Sequence, residues 1–256
     1  MLMIRKISTL FILVLPHLLS AQVDSVNSLP CANREFNVVV HVFRSADGNP
    51  GVSKSSVINR LGAVSNAFLP ICVSFKLCDF RIHDNYNFAI WDDSFNRPEA
   101  QAIYYENKQI NIFLVDSLVP PLPQTGGYAS YQGIAMQDKP FITLTKSSGS
   151  GVWIHEFGHF FGLLHTFETS NGSELVNGSN CATAGDGVCD TPADPYPNGA
   201  TYNPCKFAST ALDANGEQYL PMVENYMSYY SCACKFTRGQ YFRMYQTYIS
   251  SPEAHW

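Results

Sequence analysis

Little of this 256-residue chain is charged: Asp, Glu, Lys and Arg make up 14% of it, against 46% hydrophobic residues. That balance excludes a disordered, solvent-dominated chain and fits a compact domain with a real core. Positive charge is scarcer than negative, 16 Lys and Arg against 21 Asp and Glu for a net charge of -5, and no Lys/Arg run offsets it. The chain therefore carries no electrostatic footprint for nucleic acid or anionic lipid. Beyond the N-terminus no apolar run is long enough to cross a bilayer, and there is neither an internal repeat nor a low-complexity tract. Zinc-ribbon spacings are missing too. Only Cys232 and Cys234 stand close, one residue apart, so metal ligation by cysteine is the weaker account.

What is present begins with Arg5 and Lys6, an apolar stretch from Ile7 to Leu19, then Ser20 and Ala21. That order reads as a secretory signal peptide over residues 1–21, cleaved after Ala21. A short segment, residues 22–36, would follow, and then one domain over residues 37–256. The expected location is extracellular or periplasmic, with no membrane association once the leader is removed, and the expected state is a monomer. Eight cysteines remain in the exported part, an even number that reads as a disulfide set. Cys72 and Cys78 share one extended run and would be too far apart to bond to each other.

Val38 to Phe43 is a β-branched and aromatic run that predicts a buried strand. Turn residues Asp47 to Gly51 follow, then Ser53 as a helix cap before an apolar pattern at Val57, Leu61, Val64 and Phe68. Further strands are expected near Cys72–Phe80, over Ile110–Val115 and over Phe141–Leu144. Ser147 to Ser150 can cap a helix over residues 151–164. Residues 166–220 are dense in Gly, Asn, Asp and Pro and predict irregular structure. Thr237-Arg238-Gly239-Gln240 is a capping box opening a last helix through Tyr241, Met244 and Tyr248. The fold class read from this order is mixed α/β (α+β): a twisted mixed sheet with helices in the first part, and a loop-rich second part.

The helix over 151–164 carries the chemistry. His155 and His159 stand four residues apart and so lie one turn apart on one helix face, where both imidazoles reach a single ion. Glu156 is placed to reach a metal-bound water without binding the metal, the position of a general base. Gly162 can turn the chain sharply so that His165 swings back as a third nitrogen ligand. Three neutral nitrogens leave a fourth tetrahedral position for water, the arrangement of a catalytic zinc rather than a structural one.

The extended run from His155 to His165 resembles the metzincin clan of zinc peptidases, which carry a methionine turn downstream; Glu224-Asn225-Tyr226-Met227-Ser228-Tyr229 matches it. His165-Thr166-Phe167-Glu168, the segment Gly185 to Pro192, and Phe236-Thr237-x-Gly239-Gln240 narrow the resemblance to the pappalysin (cytophagalysin and ulilysin-like) family, across about residues 150–245. The resemblance implies a metzincin-like catalytic domain with two long helices above the cleft, and the Met turn and last helix below it. It implies that Met227 packs beneath the imidazoles and that Tyr229 reaches the metal or the oxyanion. It implies Asp186, Asp190 and Thr191 as calcium ligands, although the same side chains also serve as plain turn formers. It further implies disulfides joining Cys181 to Cys205 and Cys189 to Cys232, and a cleft rim at Gly127 and Tyr128 that binds substrate as an added strand. Relatives are often made with a zinc-blocking cysteine. Cys31 is here either a vestige of one or half of a disulfide.

The function this implies is a secreted zinc-dependent endopeptidase acting on protein or peptide through a zinc-bound water activated by Glu156. Its cofactor is one Zn2+, with Ca2+ as a second ion. An alternative is a secreted binding module that keeps zinc as a structural clip, and zinc-dependent hydrolysis of a non-peptide ester or amide is a third reading.

Overall fold

The computed structural model describes residues 28–119, 127–129, 138–196, 202–203 and 206–252. The expected leader over residues 1–21, residues 22–27 of the segment expected after it, and Cys205 lie outside them. Strand β1 (Arg34–Phe43) is followed by helix α1 (Lys54–Phe68), β2 (Val73–His83), β3 (Ile90–Trp91), helix α2 (Asp93–Ile103), β4 (Ile110–Val115), β5 (Ser117–Leu118), β6 (Gly127–Ala129) and β7 (Phe141–Thr145). Helix α3 (Ser150–Phe160), the short strands β8 (Tyr202–Asn203) and β9 (Lys206–Phe207), and helix α4 (Arg238–Ser250) complete the order. The main sheet runs β2-β1-β4-β7-β6. Its first four strands are parallel, and β6 pairs antiparallel with β7 at one edge. The mixed α/β class expected from the sequence is the one observed.

Strand parity divides the core in two, because successive side chains point to opposite faces. Val38, Val40 and Val42 of β1, with Ile112, Leu114 and Leu144, face the cluster that α1 and α3 cover. Phe43, Phe113, Val115 and Phe141 face the other way, against Trp91 and Ala100. Both faces are covered, which is why β1 and β4 read as nearly continuous apolar runs. Helix α1 starts where Ser53 accepts from the Ser56 amide at 3.2 Å, and it buries Val57, Leu61, Val64 and Phe68. Each such side chain contributes about 1.5–3 kcal/mol on burial. Aromatic rings pack α1 and α3 against the sheet: Phe75 of β2 meets Phe157 edge-on at 4.6 Å and Phe68 edge-on at 5.2 Å.

Helix α2 falls between the strands expected near Cys72–Phe80 and over Ile110–Val115, where no element is expected from the sequence. Ser148 also departs from its expected role as a cap. Its hydroxyl donates to the Thr145 carbonyl at 2.7 Å and accepts from the Trp153 indole at 3.1 Å, while Gly149 takes the N-cap position of α3. Cys31 is bonded to Cys72, tying the segment before β1 to the residue before β2 beside the Arg34 to Cys72 backbone hydrogen bond. With its sulfur in that bond, Cys31 is half of a disulfide and not a zinc-blocking thiol. The capping box at the start of α4 is present, and the Tyr241 hydroxyl donates to the Ala67 carbonyl at 2.8 Å, which brings α4 against the end of α1.

Candidate metal centre and catalytic site

Helix α3 is shorter than its pattern predicts, ending at Phe160 instead of residue 164, and that early stop assembles the site. Gly162 adopts φ +85°, its amide donates to the His159 carbonyl at 2.8 Å, and the Leu163 amide donates to the Gly158 carbonyl at 3.0 Å. These two bonds close the helix end on a left-handed residue, a conformation glycine adopts without strain. A Cβ at Gly162 would also meet the Thr247 hydroxyl of α4 at 2.4 Å. The chain therefore reverses three residues after His159, and His165 returns to the helix face it has just left.

The three imidazoles converge. Nε2 of His165 lies 3.2 Å from Nε2 of His155 and 3.0 Å from Nε2 of His159. The other ring nitrogens decide which form is present. Nδ1 of His155 lies 2.6 Å from the Tyr226 carbonyl, and Nδ1 of His159 lies 2.8 Å from the Leu163 carbonyl. A carbonyl can only accept, so both rings carry their proton on Nδ1 and turn a bare Nε2 lone pair inward. Burial pushes the pKa of His155 down to about 4, and burial with the neighbouring His155 pushes His165 down to about 3. Burial and the two other imidazoles hold His159 well below its usual range. Neutral nitrogen lone pairs crowded at about 3 Å repel one another unless a cation lies among them, so the donor set fits zinc.

Around this centre, Glu156 is buried at 5% exposure on the next position of α3. A Cβ built on Gly127 of β6 would fall 2.6 Å from its Cγ and 2.7 Å from its Oε1. The edge strand thus passes directly over the carboxylate, and only a glycine lets it do so. Tyr128 follows in the same strand. Met227 is fully buried, and its Sδ would meet a Cβ at Gly158 at 2.5 Å. The methionine therefore lies against the metal helix at the glycine between Glu156 and His159. The Tyr229 ring packs 4.9 Å from His165 and 5.5 Å from His155. Burial, reinforced by Glu156 and Tyr196, raises its pKa to about 12, which keeps its hydroxyl a proton donor at neutral pH.

Comparison with known proteins agrees with this geometry: the family model described as pregnancy-associated plasma protein-A, a peptidase family, matches residues 96–248. This chain belongs to the pappalysin family. It is a metalloendopeptidase, which sets aside the reading of a non-catalytic binding module. The extracellular metalloprotease of Arthroderma benhamiae is 26% identical over 243 residues, covering 88% of this chain and 76% of that protein. That of Sordaria macrospora is 26% identical over 230 residues, covering 81% and 72%. Among solved structures, Tannerella forsythia mature mirolysin in complex with a cleaved peptide matches with a TM-score of 0.59 at 19% identity, over 84% of this chain and 91% of that one. At that identity the likeness is one of fold.

The family-derived disulfide pairings for the loop after α3 are corrected. Cys181 bonds to Cys189, eight residues on, with Cα atoms 4.9 Å apart, so neither the Cys181 to Cys205 nor the Cys189 to Cys232 bridge forms. Turns between them, with Gly185 and Gly187 at positive φ, fold the segment back on itself and bring the two thiols together. Cys232 instead lies with its Sγ 3.7 Å from the Val223 carbonyl. Asp190 lies near enough to Asp186 to act on its charge, and its two oxygens accept from the Thr237 hydroxyl and the Gly239 amide, both at 2.7 Å, anchoring the start of α4.

Asp186 and Thr191 do meet, the Thr191 hydroxyl lying 2.9 Å from both carboxylate oxygens. Close enough to Asp186 to feel its charge is Glu174, which sequence reading missed. It is 7% exposed, and its Oε2 is buried without a hydrogen-bond partner. Burial and the Asp186 charge raise the Glu174 pKa to about 7, and burial raises that of Asp186 to about 6. Asn225 is a second such residue. Its amide oxygen accepts from the Met227 amide at 2.8 Å and its amide nitrogen donates to Gln240 at 2.9 Å, coupling the Met turn to the capping box of α4.

Proposed function

We propose that the chain is a secreted zinc endopeptidase, with one catalytic domain over residues 37–256 and a cleaved leader over residues 1–21. His155, His159 and His165 hold the ion, and Glu156 is the general base. The observation that carries this reading is the convergence of three Nε2 atoms, those of His155 and His159 turning lone pairs inward, beside a buried carboxylate that lies under the sheet's edge strand. When bound, zinc supplies Lewis acidity, lowering the pKa of an attacking water toward about 7 and polarising the scissile carbonyl. Glu156 takes a proton from that water at Oε1 as the new carbon–oxygen bond forms. It then hands the proton to the leaving amine as the carbon–nitrogen bond breaks. The Tyr229 hydroxyl donates to the carbonyl oxygen as it gains negative charge.

Strand β6 ends the sheet among the described residues, so its outer backbone groups are free to pair with an extended peptide at Gly127 and Tyr128. A peptide so held passes over Glu156. Several relatives are named extracellular metalloproteases, and the two disulfides among the described residues suit an oxidising compartment, which supports export. A diverse peptide library incubated with the purified protein should be cleaved at internal bonds, a chelator should stop cleavage, and added zinc should restore it. Cleavage indifferent to the chelator would defeat the proposal.

A second ion, calcium, belongs on this reading between Glu174, Asp186 and Thr191, where two buried carboxylates stand together with one oxygen unpartnered. The pH sense follows from both folded-state pKa values being raised. Below about pH 6 to 7 the folded chain holds protons there, and above it the carboxylates ionise and repel at a cost to the folded state. Calcium should therefore raise the melting temperature more at pH 8 than at pH 5.5, and an equal shift at both would count against the site.

A further inference from the structure

His155 and His159 are fixed by α3 and by their carbonyl partners, but His165 stands past the helix end on an irregular loop, so its placement depends on what anchors that loop. Its ring stacks on Phe167, centroids 4.6 Å apart and planes within 7°. The neighbouring residue, Thr166, is tied twice. Its amide donates to the Met227 carbonyl at 3.1 Å, and its hydroxyl donates to Oδ2 of Asp194 at 2.7 Å. The same Oδ2 accepts from the Ser228 hydroxyl at 2.7 Å, while Oδ1 accepts from the Tyr230 hydroxyl at 2.9 Å and the Tyr196 amide at 3.1 Å.

One carboxylate thus receives four donors, the number its lone pairs accommodate. The donors come from both sides of the metal centre. Thr166 adjoins the third histidine, and Ser228 and Tyr230 flank Tyr229 on the strand of chain that leaves Met227. Tyr196, the fourth, packs its own ring 5.1 Å from Phe167 and 5.7 Å from Tyr229. The matching amide does not serve equally. Three of the partners are hydroxyls that all donate inward, and an amide in place of the carboxylate would offer one acceptor oxygen and turn N–H groups toward two of them. Bonds to an ionised acceptor are also the stronger kind.

We propose that Asp194 is a positioning residue for the metal centre: it clamps the His165 loop to the Met turn and so sets the third nitrogen ligand and the Tyr229 ring together. This inference rests on the zinc reading above. Loosening the clamp leaves all three ligands in the chain but adds freedom to His165 that zinc binding must then remove. Asp194→Ala should accordingly weaken zinc binding about tenfold, the lower end of what outer-shell partners contribute.

The test compares full-length wild type, Asp194→Ala, Asp194→Asn and Thr166→Val for zinc affinity by competition with a chromophoric chelator. It also compares the visible spectrum of each after loading with cobalt, which reports ligand geometry. Asp194→Ala should bind zinc more weakly and show shifted cobalt bands, with Asp194→Asn falling between it and wild type. Thr166→Val should weaken binding less, and a Thr166→Val/Asp194→Ala double variant should be no worse than Asp194→Ala alone, because both changes remove the same link. If Asp194→Ala does not fold, Thr166→Val and Ser228→Ala, each lacking one hydroxyl, must still move the cobalt bands. A folded variant with lower thermal stability but unchanged zinc affinity and cobalt spectrum would show Asp194 to be merely structural and overturn the proposal. Wild type that binds no zinc would instead overturn the catalytic reading beneath it.

Discussion

Glu156→Gln should lower peptide hydrolysis by about a thousandfold, within the range that a positioned general base contributes, while leaving zinc content and thermal stability near those of wild type. The glutamine matches glutamate in shape, so it fits the space beneath Gly127 that already accommodates Cγ and Oε1. It cannot take a proton at neutral pH. The measurements are the rate on a cleaved library peptide, zinc per chain and a thermal melt. Retention of full activity by a folded, zinc-loaded variant would show that some other group moves the proton.

His159→Ala is the second change with a large effect, and its signature differs. It removes one of three ligands and also the Nδ1 bond to the Leu163 carbonyl at the end of α3, at a residue 5% exposed. Activity and stoichiometric zinc should disappear together, and stability should fall on two counts. The lost side chain leaves a cavity and an unmet carbonyl, of order 1–3 kcal/mol. The lost ion removes its linkage contribution as well, about 2.7 kcal/mol at a free concentration one hundred times its dissociation constant. A chelator added to wild type should reproduce the second part and not the first. If the variant keeps zinc and hydrolysis, His159 is not a ligand.

The parts of this site that could be read from the sequence are those governed by short-range geometry. Two histidines one helical turn apart, a glycine that must reverse the chain, and a Thr-x-x-Gln cap all act within a few residues, and each stands where its spacing places it. Strands β1, β4 and β7 were equally legible, because burial on both faces forces uninterrupted apolar runs. Helix α2 was not, since Ala100 is its only buried residue and Pro98 lies within it, so neither stripe nor propensity marks it. Its one local sign is Asp92, which caps it by accepting from the Ser94 amide at 3.0 Å.

Residues that meet through the irregular loop left no such trace. Glu174 reaches Asp186 from twelve residues away, and Asp194 gathers hydroxyls from residues 28 to 36 positions distant. No periodicity connects them, because turns with their own backbone geometry set the path. The same holds for Cys181 and Cys189, where a pairing inferred from family likeness gave way to local turns. The clustering of acidic and hydroxyl side chains over residues 186–194 was the available signal, and it did not say which carboxylate serves which neighbour.

The account turns on one ion held by three imidazoles, and the direct measurement is metal analysis of full-length protein dialysed against metal-free buffer, alongside the His155→Ala/His159→Ala variant. One zinc per wild-type chain and none in the variant is the predicted result. A wild-type chain without zinc, or a variant that retains it, would contradict the account.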